Sequence, residues 1–262
     1  MRLSQTMYSF HLIVIALCLI ALLSCNTNTI KYLVIAHAHN DYEQKHPITT
    51  ALNHGFTSLE VDIVFDGTHL IVSHDGENLD TKGHFEIAYL VPLLDRLDAK
   101  RTPIILLVDI KNYSDQMLAQ LNAILKKYES YLVKREETAN RSKKIQIVLS
   151  GDIPREQVIK AKANEFLFID GRMEDLAFDY SQQYMPMISM DFTEISNWEG
   201  VQKPSKATIR TIQKTINRVH QKGKKIRFWK TTETELLWRT LIESKVDFIG
   251  VDNIENFYAT FQ

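Results

Sequence analysis

Apolar residues follow two alternating patterns along the chain. Short, nearly continuous apolar runs, typical of strands buried on both faces, recur from residue 32 to residue 251, and between them lie segments with apolar residues at three- and four-residue steps. Helices are expected after Ser114 and Ser205, which are suited to N-cap positions. Eight strand-and-helix units in roughly 230 residues predict a TIM-type (β/α)₈ barrel rather than an open doubly wound sheet.

Two local motifs refine this α/β fold. Asp66-Gly67-Thr68 separates the apolar runs 58–65 and 69–73, and an aspartate-glycine pair in that position indicates a hairpin. A small β-hairpin extension is therefore expected after the second strand. Later in the chain, the segment from Thr232 to Glu235 has the pattern of a capping box and predicts the start of a helix there.

The first residues differ from the rest of the chain. Arg2 precedes an uninterrupted apolar run over residues 12–23, too short to span a bilayer but suited to the core of a signal peptide. The following Leu22-Leu23-Ser24-Cys25 resembles a bacterial lipobox. We expect a lipoprotein-type signal peptide over residues 1–24, a lipidated Cys25 with a tether to residue 31, and a barrel domain over 32–262. An ordinary signal peptide with an incidental Cys25 is the alternative.

This interpretation predicts a membrane-anchored lipoprotein of the bacterial cell envelope. The composition also excludes several kinds of site from the barrel domain. The two cysteines are Cys18 and Cys25, so the barrel domain holds none, which excludes disulfides, thiolate nucleophiles and zinc-thiolate sites there. The net charge of −1 gives no reason to expect nucleic acid as a partner. A monomer is expected.

Carboxylates at strand ends predict a metal site. Glu60 and Asp62 share one face of a strand because strand side chains alternate, and Asp109 ends the next predicted barrel strand. The carboxyl ends of barrel strands gather at one face, so these three carboxylates are expected to converge. Asn40 supplies a further neutral oxygen. Hard cations select oxygen ligands, which predicts one divalent ion, either Ca²⁺ or Mg²⁺.

Two histidines flank this predicted site. His39 ends the first strand and His74 closes the hairpin, so one could serve as general base and the other as general acid in phosphodiester cleavage. Lys111, two residues after Asp109, is placed to neutralise a phosphate oxygen, and Trp229 is a candidate substrate-binding residue at a later strand end.

The segment His37–Asp75, "HAHNDYEQKHPITTALNHGFTSLEVDIVFDGTHLIVSHD", resembles the N-terminal signature of the PI-PLC-like phosphodiesterase superfamily. Its "HNDY" form is most similar to the branch containing the fungal altered-inheritance-of-mitochondria proteins, as are "VLSGD", "FIDGR", "NWEG" and "RFW". The resemblance implies a catalytic pair, a set of metal ligands and a lysine that contacts phosphate. The residues that match the catalytic pair are His39 and His74. Those that match the metal ligands are Glu60, Asp62, Asp109 and Asn40, and the matching lysine is Lys111.

The expected function is metal-dependent hydrolysis of a phospholipid headgroup or a glycerophosphodiester-like substrate. Glycerophosphodiesterases usually carry His-Arg-Gly where this chain has His39-Asn40-Asp41, so their substrate is not implied. One alternative is a lipid-anchored barrel that binds a phosphorylated ligand without turnover. Another is an amidohydrolase with His37 and His39 as a zinc pair, which is disfavoured because the later strands lack histidines.

Overall fold

Eight parallel strands close into a barrel. The computed structural model describes residues 35–75, 82–97, 103–137 and 145–262. Around the barrel the strand order is β1-β9-β8-β7-β6-β5-β4-β2, and β2 pairs with β1 to close it. The predicted (β/α)₈ class is therefore confirmed. The strands are β1 (Ala36–Ala38), β2 (Ser58–Phe65), β3 (Leu70–Val72), β4 (Ile104–Ile110), β5 (Ile145–Gly151), β6 (Leu167–Gly171), β7 (Met187–Asp191), β8 (Lys225–Trp229) and β9 (Phe248–Val251).

Helices cover the outside of the barrel. They are α1 (Thr49–Asn53), α2 (Val91–Asp95), α3 (Asp115–Lys127), α4 (Arg155–Lys160), α5 (Lys206–Gln221), α6 (Glu235–Glu243) and α7 (Ile254–Thr260). The predicted caps of α3 and α5 are confirmed: the hydroxyls of Ser114 and Ser205 accept backbone N–H bonds from Met117 and Thr208. The long apolar stripe of α5 packs on the sheet through Ile212, Ile216 and Val219, all buried.

The predicted capping box before α6 is wrong by two residues. The helix begins at Glu235, and the hydroxyl of Thr234, not Thr232, accepts the Leu237 backbone N–H. Glu233 turns away from the helix and accepts the backbone N–H of Asp252 at 2.6 Å. In the predicted box the acid of the cap is Glu235, which is instead the first residue of the helix, and the tertiary hydrogen bond holds Glu233 outside the helix.

β3 forms the predicted hairpin with β2. The two strands are antiparallel, with Phe65 opposite Leu70 and Ile63 opposite Val72. β4 occupies the other edge of β2, so β1 and β3 share one edge of that strand. His74, which closely follows β3, therefore lies near the edge of β2 with which β1 also pairs.

The inside of the barrel changes from apolar to polar along the strands. Paired residues on neighbouring strands face the same side of a sheet, so the register identifies two inward layers. The lower layer is apolar and holds Leu107, Val148, Phe168, Met187 and Phe248, all buried. Toward the carboxyl ends, the same faces carry Asp62, Asp109, Ser150, Asp170, Ser189 and Arg227. The polar layer therefore lies directly above a buried apolar layer.

The predicted signal peptide, Cys25 and the tether lie outside the described residues. Within the described ranges, no helix has both the length and the apolar character needed to cross a membrane.

Candidate active site

Three carboxylates meet in the polar layer, as the sequence predicts. Glu60, Asp62 and Asp109 each place one oxygen within 4.8 Å of the others, and Asp62 pairs directly opposite Asp109 in the β2–β4 register. Burial raises the pKa of Asp62 to about 6, with the neighbouring Glu60 and Asp109 charges acting in the same direction and Lys111 opposing them. The cluster is thus short of positive charge, as a cation site should be.

Lys111 lies between two of these carboxylates. Its Nζ is 2.6 Å from Asp109 Oδ2 and 2.9 Å from Asp62 Oδ2, and the Tyr42 hydroxyl also donates to Asp62 Oδ2 at 3.1 Å. Burial disfavours the charged amine, but the hydrogen bond to Asp109 and both carboxylate charges outweigh it and raise the pKa of Lys111. Lys111 is therefore a fixed positive charge beside the cluster.

Glu60 is held from the opposite side of the barrel. Its Oε2 accepts hydrogen bonds from His37 Nε2 at 2.8 Å and from Nη1 of Arg227, a residue of β8. Burial opposes ionisation, but Arg227 and His37 outweigh it and keep the pKa of Glu60 well below its usual range. Burial and the Arg227 charge lower the pKa of His37 to about 4, so this ring is neutral, and its Nδ1 lies 2.7 Å from Ser58 Oγ. His37 therefore lies beside Glu60 as a buried, neutral ring.

The residues present fit a divalent cation. Asp62 Oδ1 and Asn40 Oδ1 are buried and, within the described residues, have no hydrogen-bond partner. A buried oxygen without a donor is costly, and a cation would satisfy it. Asn40 follows β1 in the left-handed conformation (φ 46°, ψ 45°), which asparagine tolerates better than most residues. Glu60, Asp62, Asp109 and Asn40 are thus the residues that would hold the ion.

His39 stands at the rim and is oriented by Asp252. The ring Nδ1 lies 2.6 Å from Asp252 Oδ1, and the His39 backbone N–H donates to Val251 at the end of β9. Burial works against the charged ring, but the hydrogen bond to Asp252 and the charges of Glu60 and Asp252 outweigh it and raise the pKa of His39 above 6.5. A carboxylate on Nδ1 leaves Nε2 as the atom that can exchange a proton.

The strand register carries His74 toward His39. β1 runs parallel to β2 along their shared edge as far as Ala38, which lies opposite Leu59, and His39 follows. β3 runs antiparallel to β2 along the same edge. The backbone N–H of Ser73, the residue immediately before His74, donates to the Asp62 carbonyl. The two histidines therefore follow strand ends that approach each other along one edge of β2. His74 is exposed, and it makes no hydrogen bond or ion pair with any residue that the structure describes.

Trp229 lies elsewhere on the same face of the barrel. It ends β8 opposite Asp191 and lines a cavity of about 210 Å³ together with Arg172 and Ser189. Lys230 Nζ lies 4.7 Å from the centroid of the Trp229 ring. The contact of Trp229 with substrate remains a prediction.

Sequence reasoning missed Asp252 and Arg227. Asp252 directly follows the apolar run of β9, so the rule that found the other strand-end residues also points to it. Arg227 interrupts an apolar strand at an inward-facing position, but such a residue reveals its role only when its partner on another strand is known. Glu60 is that partner, 167 residues away in sequence.

Comparison with known proteins connects this geometry to a family. The family model for the AIM6-like phosphodiesterase domain matches residues 27–104, which include both histidines and two of the carboxylates. Altered inheritance of mitochondria protein 6 homolog of Arthroderma benhamiae is 23% identical over 257 residues, covering 83% of this chain and 81% of the relative. Altered inheritance of mitochondria protein 6 of Eremothecium gossypii is 21% identical over 271 residues, covering 87% of this chain and 70% of the relative.

These relatives correct the predicted location. They are fungal, and therefore eukaryotic, proteins, which conflicts with a lipoprotein of the bacterial cell envelope. The lipobox-like Leu22-Leu23-Ser24-Cys25 is only four residues long, and so short a pattern recurs by chance beside apolar leaders. The predicted location is wrong.

The barrel itself matches a solved structure. A glycerophosphodiester phosphodiesterase from Agrobacterium tumefaciens str. C58 superposes with a TM-score of 0.55 at 15% identity, covering 86% of this chain and 97% of that one. At this identity the likeness shows the fold. The family-model match and the fungal relatives confirm the resemblance predicted from the sequence, to the AIM6 branch of the PI-PLC-like phosphodiesterases, and the barrel agrees with it in fold.

Proposed function

We propose that the protein hydrolyses phosphodiesters by histidine acid–base catalysis beside one divalent cation. The observation that carries the proposal is the 2.6 Å contact between His39 and Asp252 at the rim of a carboxylate cluster with an unsatisfied buried oxygen. An oriented imidazole and a cation site within one barrel mouth are the two components that phosphodiester cleavage requires.

His39 acts as the general base. Asp252 accepts the Nδ1–H bond and so selects the tautomer whose Nε2 lone pair is free. Nε2 then takes the proton of the attacking hydroxyl, and the imidazolium that forms is stabilised by the carboxylate. The charge of Glu60 adds to this stabilisation.

His74 acts as the general acid. It lies on the edge of β2 that His39 also follows, and its exposure leaves the ring free to reach the leaving oxygen of a substrate in the barrel mouth. Protonation of that oxygen matters most when the leaving alcohol is a poor leaving group.

Four residues would hold the cation: Glu60, Asp62, Asp109 and Asn40. When bound, such an ion polarises the phosphoryl oxygens and stabilises the charge that develops on them. Lys111 adds its own positive charge beside the same oxygens, because its ammonium already lies between Asp62 and Asp109. The substrate we propose is a phospholipid headgroup or a glycerophosphodiester-like compound.

Phosphorus NMR of a panel of lipid and glycerol phosphodiesters, with divalent cation and with chelator, tests the proposal. We expect cleavage of at least one diester, abolished by chelator and by Asp62→Asn. Asp95→Asn, which changes an exposed aspartate at the end of α2 on the outside of the barrel, is the matched control and should retain turnover. Binding of the diesters without cleavage, in cation and at every pH tested, would contradict the proposal.

A further inference from the structure

We infer that the outer face of α5 is a basic surface that docks on anionic phospholipid membranes. Four cations recur at four-residue steps along this helix, and we call them the α5 basic stripe: Lys206, Arg210, Lys214 and Arg218. All four are exposed, and none has an ion-pair partner within the described residues. The inference concerns binding to a surface and does not depend on the proposed hydrolysis.

The stripe lies in a stretch of chain that lacks acidic residues. From residue 200 to residue 232 the sequence contains no aspartate or glutamate, although the whole chain has 31 basic and 32 acidic residues. Lys203 and Lys222, both exposed, extend the positive charge beyond the two ends of the helix. On α6, Glu243 lines a groove with Lys203 and marks one border of the basic surface. The positive charge is therefore local to α5 rather than a property of the overall composition.

The stripe points away from the barrel along the whole helix. Ile212, Ile216 and Val219 form the buried face of α5. An α-helix turns about 100° per residue, so each four-residue step rotates the side chain by about 40°, and the four cations spread over an arc of about 120° opposite the buried face. From Lys206 to Arg218 the helix rises about 18 Å. Such an array fits a broad surface with many anionic groups better than it fits a single anion.

Cations on the other long helices are neutralised within the protein. Lys127 of α3 pairs with Glu86 at 2.9 Å, and Arg239 of α6 pairs with Glu235 at 2.7 Å. The first turns of α3 and α6 contain an acidic residue, which is favourable near the positive end of the helix dipole, whereas the first turn of α5 contains none. Like charges four residues apart also destabilise a helix. The stripe is therefore unfavourable for the isolated protein, and an anionic partner would relieve its repulsion.

An exposed apolar side chain beside the stripe favours lipid over nucleic acid as that partner. Val201 is 80% exposed in the loop between β7 and α5, two residues before Lys203. An apolar side chain next to basic ones suits the boundary between lipid headgroups and acyl chains. A basic face that binds nucleic acid depends on phosphate contacts, to which an exposed valine contributes nothing.

The experiment is co-sedimentation of the full chain with lipid vesicles in the presence of chelator. One set of vesicles is phosphatidylcholine alone, and the other contains phosphatidylserine as well. We expect tighter binding to the second set, and weaker binding as salt is raised, because the screening length falls from about 30 Å at about 0.01 M salt to about 8 Å at about 0.15 M. Any binding through the apolar run over residues 12–23 occurs with both sets and cancels in the comparison.

Two quadruple variants locate the binding surface. Each Lys or Arg near an anionic leaflet adds about a factor of five in affinity, so loss of the stripe should weaken binding to phosphatidylserine vesicles by about 10²–10³-fold. The stripe variant is Lys206→Gln, Arg210→Gln, Lys214→Gln and Arg218→Gln. The matched control removes the same charge from exposed, ion-paired positions on other helices and should retain nearly all of the binding: Lys126→Gln, Lys127→Gln, Lys160→Gln and Arg239→Gln.

Three results would overturn the inference. They are equal binding of the wild type to the two sets of vesicles, an equal loss in the two quadruple variants, and tighter binding to a DNA duplex or to single-stranded RNA than to phosphatidylserine vesicles at the same salt. Circular dichroism melting checks the fold, and the stripe variant should be at least as stable as the wild type because glutamine is a good helix former and removes the repulsion.

Smaller variants keep the comparison available if the stripe variant does not fold. Lys206→Gln with Arg210→Gln, and Lys214→Gln with Arg218→Gln, should each weaken binding to phosphatidylserine vesicles by about 25-fold. Wild-type binding by both double variants would overturn the inference.

Discussion

Asp41 should destabilise the folded protein at neutral pH, and Asp41→Asn should remove that cost. The side chain is fully buried; its Oδ2 accepts the Ile48 backbone N–H at 2.7 Å and the Tyr89 hydroxyl at 2.5 Å, while its Oδ1 is buried without a partner in the described residues. Burial raises the pKa of Asp41 from 3.8 to about 6, against the opposing effect of these two hydrogen bonds.

The sign and size follow from proton linkage. The folded state binds the proton more tightly than the unfolded chain, so the stabilising contribution of the protonated acid is complete below pH 3.8 and is lost as pH rises through about 6. The full difference corresponds to about 3 kcal/mol of unfolding free energy at about 1.36 kcal/mol per pH unit. Asparagine resembles the protonated acid and keeps an acceptor for the Ile48 N–H.

Urea unfolding at about pH 4 and about pH 7.5 measures the effect. Asp41→Asn should gain up to about 3 kcal/mol over the wild type at the higher pH and almost nothing at the lower. Asp62, whose pKa is also raised to about 6, is present in both chains and cancels in the difference. Asp179→Asn, at an exposed position, is the control. A gain that is equal at both pH values would refute the reasoning. Loss of turnover in a folded Asp41→Asn would give this residue a catalytic role that its contacts do not suggest.

Three further predictions concern the histidines and their supports. Asp252→Asn removes the charge that helps to raise the pKa of His39, so kcat should fall and the acid limb of kcat/KM should move to lower pH; an unmoved limb would argue against His39 as base. His74→Ala should lower turnover of alkyl diesters by about 10²–10⁴-fold and spare a p-nitrophenyl diester, and equal losses on both would exclude the acid role. Glu233→Gln weakens the bond to the Asp252 backbone, so kcat should fall with KM unchanged, whereas Glu235→Gln on the exposed start of α6 should have no effect; a similar fall in both variants would count against positioning by Glu233.

The fold and the three carboxylates of the site could be predicted from short-range patterns in the sequence. The predicted limits of β2 coincide with the observed strand, because the run over residues 58–65 stops abruptly at the turn that begins with Asp66. Glu60, Asp62 and Asp109 could be brought together from strand alternation and the common edge of barrel strands alone. These inferences need only that a buried strand continues in a regular conformation.

The rest depends on contacts between distant segments. Arg227 reaches Glu60 across the barrel interior, and Asp252 reaches His39 through the closure of β9 on β1. No spacing in the sequence encodes such partners. The predicted start of α6 is two residues too early for the same reason, since the hydrogen bond from the Asp252 backbone holds Glu233 outside the helix.

The pairing of β1 with β9 makes the orientation of His39 depend on closure of the barrel. The segment from β1 to β8 already carries both histidines and all three carboxylates, but it lacks the strand end that bears Asp252. The imidazole therefore obtains the carboxylate on its Nδ1 only when β9 has paired with β1 and β8. Under the proposed function, recovery of turnover during refolding would serve as a kinetic reporter of barrel closure.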